Sequence, residues 1–568
     1  MTPSEVRTLG SAGRTFRSGD DRGLCGARLR RRPRAFRSSA AFAARVPVRQ
    51  LSARLFCREA FAVVLAILAS LLFAGSASAT IQYRVSLAQP AEHLFHVTMT
   101  IPVEGRDVTI ALPAWNTLYR IRDFSQRIEG IHGVCPGAAA VPLLKRQVDK
   151  DTWHFWVETA CQPEDHNQFQ IDYTIDWDDL GPFNSQLSMR HAFMNLAEIL
   201  MYAPQRRNEN VSVQFVDLPS GWRTTAELSN PGVAAYTAKS YDQLVDAPVE
   251  AGQFDELDFA ESGANFRVVV DSRSWNRALL EDALHGITRY ELNLMGGPPF
   301  DSLNREYTFF FHIGPEDGAE GGGMEHQNCA AISAVSTEAA IAIAAHEFFH
   351  AWNVKRIRPQ SLEPVDYTKE QYTRALWFAE GVTSAYASFT LERSGLWSKL
   401  RFYDDLARQI GDLQSRPARA WQSVEESSLD AWFEKYQLYN RPDHSISYYN
   451  KGQILGVLLD LAIRDATDNH RSLDDVMRRM NEEYALRGTF YDDSASVRIV
   501  VEEVAGKSFT EFFNRYVSGT DEIPYNNFLA IAGLEAKVVG DRVVVDEIAN
   551  PTDRQRRILS GMLHGSTD

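Results

Sequence analysis

His346, Glu347 and His350 stand at the end of an Ala/Ile run, Ala339 to Ala344, which continues as Ala345-His346-Glu347-Phe348-Phe349-His350-Ala351-Trp352-Asn353. On an α-helix residues four apart project from nearly the same face, so both imidazoles can turn a nitrogen toward one point. That point can hold a zinc ion. Glu347 is displaced by about a quarter-turn, where its carboxylate reaches a water at the metal without ligating the ion itself. The chemistry such a set supports is zinc-assisted hydrolysis of a peptide bond. The plainer alternative is a buried helix whose two histidines hydrogen-bond to backbone.

Catalytic zinc takes three protein ligands and leaves one position open. The best third candidate is Glu380, in Leu376-Trp377-Phe378-Ala379-Glu380-Gly381-Val382-Thr383, where Trp377, Phe378 and Val382 leave a carboxylate poorly solvated and in want of a cation. Glu363, Asp366 and Glu370 lie closer in sequence, but the first two sit in a loop beside Pro364 and the third at a helix start. They read as solvated or capping groups.

The run His346 to Pro359 (HEFFHAWNVKRIRP), together with Trp377-Phe378-Ala379-Glu380-Gly381, resembles the glycyl aminopeptidase family of gluzincin metallopeptidases, whose members often carry a PDZ domain. The resemblance extends from about Ile81 to Tyr525. It implies a zinc cofactor held by His346, His350 and Glu380, with Glu347 as general base. Two further motifs agree with it. Gly321-Gly322-Gly323-Met324-Glu325-His326 resembles a G-x-M-E loop that clasps the free α-amine of a substrate, with Gly323, Met324 and Glu325 as the binding residues. An ammonium group needs a fixed carboxylate, and glycines let a bound peptide come close; alone, the segment would read as a Gly-rich turn with its Glu in water. Tyr448-Tyr449-Asn450-Lys451-Gly452 resembles a Y-x-K-G motif whose tyrosine donates to a developing oxyanion. Counting back from Lys451 gives that role to Tyr449, with Tyr448 as the alternative. The bland reading is an aromatic pair buried at a helix start.

These residues must be positioned by a large chain. At 568 residues and 44% hydrophobic content it can build several cores. Residues 1–60 carry 14 Arg, no Lys and four acids, a balance of +10, so the rest of a chain whose net charge is −15 carries −25. An acidic body excludes nucleic-acid partners, which need a basic face. Residues 1–59 read as an Arg-rich disordered extension. Arg54 and Arg58, the apolar run Phe61 to Ala74 and the small residues ending Ala77-Ser78-Ala79 have the order of a secretory signal over 60–79, cut after Ala79. A run of about 14 apolar residues is short for a bilayer. The expectation is therefore a periplasmic or secreted bacterial protein with no stable membrane span. Of five cysteines, Cys25 and Cys57 precede the cut, Cys135 and Cys161 can pair in an oxidising compartment, and Cys329 would stay a buried thiol.

The expected architecture is multidomain α+β. Residues 80–250 form an N-terminal antiparallel β-sandwich-like domain, since Phe95, Val97, Met99 and Ile101, then Phe169 to Trp177, then Val211, Val213 and Phe215 alternate with polar residues. There Leu112-Pro113-Ala114-Trp115 and Tyr119 to Phe124 resemble a family stretch, but Asn116-Thr117-Leu118 replaces its Pro-Gly-Ser-Tyr turn and is a residue shorter. Residues 251–395 form a thermolysin-like zinc catalytic domain, with strands at Phe266–Val270 and Tyr307–Ile313 around a helix at Trp275–Leu294. The second strand is expected to be the edge against which an extended peptide lies. Residues 396–525 form a mainly helical domain completing the active site: Ile454, Leu455, Leu458, Leu459 and Ile463 give one buried face, Ser472 with Asp475 starts another helix, and Phe509, Phe512, Phe513 and Tyr516 mark a third. Residues 526–568 form a short tail, a hairpin about Gly540-Asp541 and a helix from Thr552 to Leu563. Some 80–90 residues, roughly, are needed for a PDZ domain, which is therefore expected to be missing.

The function this predicts is an exported zinc aminopeptidase that removes small N-terminal residues, Gly or Ala, from peptides with a free N-terminus. A zinc endopeptidase and a catalytically silent peptide-binding homologue are the alternatives.

Overall fold

The computed structural model describes residues 81–116, 119–137, 140–158, 168–299, 306–315 and 321–565. The Arg-rich extension, the signal-like stretch, Thr117, Leu118 and Cys161 lie outside the described residues. Cys135 is disulfide-bonded, and Cys329 is a free, buried thiol whose pKa burial pushes up.

Period-two alternation builds the N-terminal part. Leu94–Pro102 and Gln168–Asp176 pair antiparallel in full register, Phe95 opposite Ile175 and Ile101 opposite Phe169, and turn their apolar residues into one core. Each large side chain buried this way contributes about 1.5–3 kcal/mol. These strands are central in an eight-stranded sheet, with a three-stranded sheet (Asp107–Ala111, Leu144–Gln147, Thr152–Trp156) and a four-stranded one (Gln186–Leu187, His191–Met194, Arg223–Ala226, Val249–Gly252) around the same core. One departure from the antiparallel expectation is that Ile81–Gln89 pairs parallel with Val211–Val216. The two strands lie far apart in sequence, so no hairpin dictates their direction.

A second, larger core begins at Leu257 and gathers residues through Leu563. Its sheet has five strands in the order Asp255–Glu261, Ala264–Ser272, Glu306–Ile313, Cys329–Ala334, Gly322–Glu325. The middle three are parallel and the outer two antiparallel. The strand containing Tyr307–Ile313 is thus interior and not the edge. Cys329–Ala334 inserts beside it, and the Gly-rich segment folds back outside to become the free edge itself.

Ser336 caps the helix Thr337–Phe349, its hydroxyl accepting from the Ala339 N–H at 3.3 Å, and Glu338 complements the positive end. Ala340, Ala344 and Ala345 let this helix pack closely on the sheet, and Phe348 meets Tyr307 edge-on at 5.0 Å. Helix Tyr448–Ala466, capped by Ser447, is buried over almost its whole circumference and not on one face, because other elements pack around it on all sides. Ser472 and Asp475 form the expected capping box, and Phe509, Phe512, Phe513 and Tyr516 are core. The hairpin Leu534–Val539 with Arg542–Glu547 and the helix Asp553–His564 send Leu534, Val545, Ile558 and Met562 into the same core. Among the described residues no helix is long and apolar enough to cross a membrane.

Candidate active site

His346 and His350 leave the last turn of their helix toward Glu380. The distance from His346 Nε2 to His350 Nε2 is 3.0 Å, and Glu380 Oε2 stands 3.5 Å from the first and 3.2 Å from the second. For three ligands at tetrahedral angles around zinc at about 2.05 Å, the edges should measure about 3.3 Å. The tautomers fit as well. His350 Nδ1–H donates to the Asn353 carbonyl oxygen at 2.5 Å, and His346 Nδ1–H has the Ser384 hydroxyl 3.4 Å away, whose own proton goes to the Glu380 carbonyl oxygen at 3.0 Å. Both Nε2 lone pairs then face one another and a carboxylate, an arrangement that calls for a shared cation. The electrostatics show the demand for positive charge at this point: against the burial that disfavours both charges, Glu380 pulls the His350 pKa up, and the two histidines hold Glu380 well below the usual carboxylate range. Burial lowers His346.

Glu380 lies in a π-helical turn, Trp377–Val382, that leads into helix Thr383–Arg393. Asn353 holds this turn, its Nδ2 donating to the Phe378 carbonyl at 2.9 Å, the Ala379 carbonyl at 3.3 Å and Thr383 Oγ1 at 3.0 Å. One residue thus orients His350 through its backbone and Glu380 through its side chain. Sequence reasoning missed it; the available signal was a lone amide between Trp352 and Val354 in an apolar stretch.

Glu347 is buried, and its Oε2 has no hydrogen-bond partner among the described residues. Burial pushes its pKa well up; His350 opposes this, while Glu325 and Glu380 add to it. Its carboxylate occupies the space of the side chain that Gly323 lacks: a β-carbon there would come within 2.2 Å of Glu347 Oε1. Gly323 and Met324 belong to the edge strand, which ends at Glu325. Glu325, Glu347 and His350 each offer a polar atom within 4.8 Å of the others. His326 instead turns to Asp246, 3.4 Å away, which Lys355 also pairs with at 2.9 Å.

Of the two tyrosines, Tyr449 faces the cleft. The residue is 39% exposed and its ring lies 6.2 Å from that of His346, whereas Tyr448 is buried behind it. Glu363 is taken up by Arg358, and Asp366 accepts from Thr368 in its own turn at 2.7 Å. Beside the histidines a cavity of about 420 Å³ is lined by Phe183, Gly322, Gly323, Glu347, Tyr449 and Asp405, among others. A larger one, about 600 Å³, is lined by charged residues including Lys355 and Arg356 and contains none of the three converging groups.

The family model of M61 glycyl aminopeptidases matches residues 339–455, and that of the peptidase M61 N-terminal domain matches residues 82–253, together more than half of the chain. No curated protein matches. Among solved structures, an aminopeptidase N family protein from Idiomarina loihiensis shares the fold, with 24% identity, 80% of this chain and 79% of that one covered, and a TM-score of 0.74. An M1 zinc metallopeptidase from Deinococcus radiodurans aligns at 12% identity over 78% of this chain and 94% of that one, with a TM-score of 0.46.

Proposed function

The chain belongs to the M61 glycyl aminopeptidase family, and from that premise we propose that it is an exported, zinc-dependent aminopeptidase releasing glycine or alanine from peptides. The observation that carries this is the short reach between two groups of opposite purpose. Glu325, a carboxylate at the end of a free sheet edge, lies within 4.8 Å of His350 and Glu347. Consecutive residues are about 3.8 Å apart along a chain, so only one residue fits between an amine held by Glu325 and a bond cut at the histidines.

In this reading His346, His350 and Glu380 would hold the zinc. The chemistry zinc would supply there is Lewis acidity toward the scissile carbonyl and toward a water made nucleophilic near neutral pH. Glu347, raised in basicity by its buried position, takes the proton of the attacking water and passes it to the departing amine. Tyr449 donates from its hydroxyl to the carbonyl oxygen as negative charge develops there. The edge strand aligns the peptide backbone, and Glu325 fixes the ammonium group. The cavity lined by Phe183 and Asp405 does not include Glu325 and receives the leaving peptide.

The test is a comparison of alanyl peptides with free and acetylated N-termini. The free peptides should be cleaved at least about 100-fold faster, a ratio that Glu325→Ala should reduce. Equal cleavage would make the protein an endopeptidase.

A further inference from the structure

The 420 Å³ cavity is lined by His346, Glu347 and Tyr449 and, in the same space, by Ser388, Asp405 and Gln453. The second group lies one helical turn beyond the first. Ser388 is four residues after Ser384, whose hydroxyl stands 3.4 Å from His346 Nδ1, and both are on helix Thr383–Arg393. Gln453 is four residues after Tyr449 on helix Tyr448–Ala466. Four residues along a helix return to the same face about 6 Å further on. A side chain that enters this cavity from the reacting bond therefore meets the second group at about that reach.

There a carboxylate is held from three directions. Asp405 belongs to helix Lys399–Gln414. Its Oδ2 accepts from the Ser388 hydroxyl at 2.9 Å and from Gln453 Nε2 at 2.7 Å, and Gln453 Nε2 also donates to Ser388 Oγ at 3.1 Å. Both donors are neutral, so they fix the position of the group and leave its charge. Its Oδ1 is met by Arg408, three residues on in the same helix. The Asp405 side chain is 10% exposed and that of Arg408 59%, and Arg408 is shared with Asp412 at 3.6 Å. A pair between a solvated arginine and its helical neighbour costs side-chain entropy and contributes little. The carboxylate is therefore the built element and the arginine the part that can give way, with two negative groups here against one positive.

We propose that Asp405 selects the residue that follows the cleaved bond, favouring lysine or arginine at the second position of the substrate. The aliphatic stem of such a residue spans the helical turn along the cavity, and its cation takes the place of Arg408 at Asp405 Oδ1. Leucine leaves the carboxylate with Arg408, and glutamate brings a like charge to it. The proposal rests on the aminopeptidase reading above and adds to it the chemistry of the leaving peptide.

The zinc-loaded protein is assayed on the dipeptide amides Ala-Lys, Ala-Leu and Ala-Glu. A hydrogen bond to a charged group is worth about 10- to 100-fold, so kcat/KM for Ala-Lys should exceed that for Ala-Leu at least about 10-fold, with Ala-Glu the slowest. Asp405→Asn, which keeps the shape of the group and removes its charge, should bring the lysine-to-leucine ratio within about 2-fold of unity. A loss of structure alone would slow both substrates and leave the ratio in place. Lysine no faster than leucine in the unmodified protein, or a preference that survives in Asp405→Asn, overturns the proposal. Should that variant fail to fold, Arg408→Ala on the exposed face gives the answer: without the competing cation the lysine-to-leucine ratio should rise about 2- to 5-fold, and a ratio that does not rise overturns it. Failure of the underlying function looks different, since free and acetylated substrates would then be cleaved alike whatever their second residue.

Discussion

Gly381 and Gly452 meet where the turn that carries Glu380 crosses the helix that carries Tyr449. A β-carbon on Gly381 would lie 2.5 Å from the Gly452 Cα, and one on Gly452 would lie 2.3 Å from the Trp377 carbonyl oxygen. Two backbones at this separation fix the distance from the proposed third ligand to the proposed oxyanion donor. Gly381→Ala or Gly452→Ala should therefore cost about 1–3 kcal/mol by overpacking and lower kcat as well. Urea unfolding and initial rates check both; a variant of full stability and full rate contradicts the assignment.

Gly323 faces Glu347 in the same way, but there the neighbour is a side chain. Gly323→Ala should displace the carboxylate and leave the histidines in place. A misplacement of about 1 Å can cost about 100-fold in rate, so kcat should fall by that order with zinc content unchanged. Loss of zinc together with activity would assign Gly323 to structure instead.

Asn353 supports two of the three converging groups at once. Outer-shell partners of metal ligands are worth about 10- to 100-fold in metal affinity, and Asn353→Ala should weaken zinc binding at least that much in competition with a chelator. The same affinity as the unmodified protein would remove it from the support of the site.

A buried network joins the N-terminal part to the five-stranded sheet. His191 Nδ1 donates to Glu250 at 2.9 Å with Asp271 3.2 Å away, and its Nε2 donates to Gln186 at 3.0 Å. His312 Nε2 donates to the same Glu250 at 3.0 Å, and Arg190 pairs with Asp271 at 2.9 Å. Burial pulls the His191 pKa down, but Glu250 and Asp271 outweigh it even against Arg190, and the net shift is upward. The folded state thus binds the proton more tightly than the unfolded one. This stability is complete below the unfolded value of about 6.5 and is lost as pH rises through the folded value. Denaturation between pH 6 and 9 should show a decline that His191→Gln flattens. Identical slopes would mean that His191 carries no proton in the fold.

The histidine pair was legible in the sequence because a helix fixes the geometry of residues four apart whatever surrounds it. Glu380 was legible because a carboxylate among Trp377, Phe378 and Val382 needs a cation. The π turn that aims it was not, since a one-turn widening leaves no mark on a 3.6-residue period. Gly323 could be read as a residue that lets something approach, but that the something is Glu347 depends on strand order, which no local pattern encodes. The same gap put the sheet edge at Tyr307–Ile313 when it belongs to Gly322–Glu325. Alternating strands such as Leu94–Pro102 were plain throughout, because a half-buried surface repeats every second residue.

The central claim is one coordination sphere, and metal analysis of the purified protein tests it most directly. The unmodified chain and Glu347→Gln should each carry about one zinc per chain, and Glu347→Gln should show no turnover, while Glu380→Ala and His346→Ala should carry almost none. A full complement of zinc in Glu380→Ala, or turnover surviving in Glu347→Gln, contradicts it.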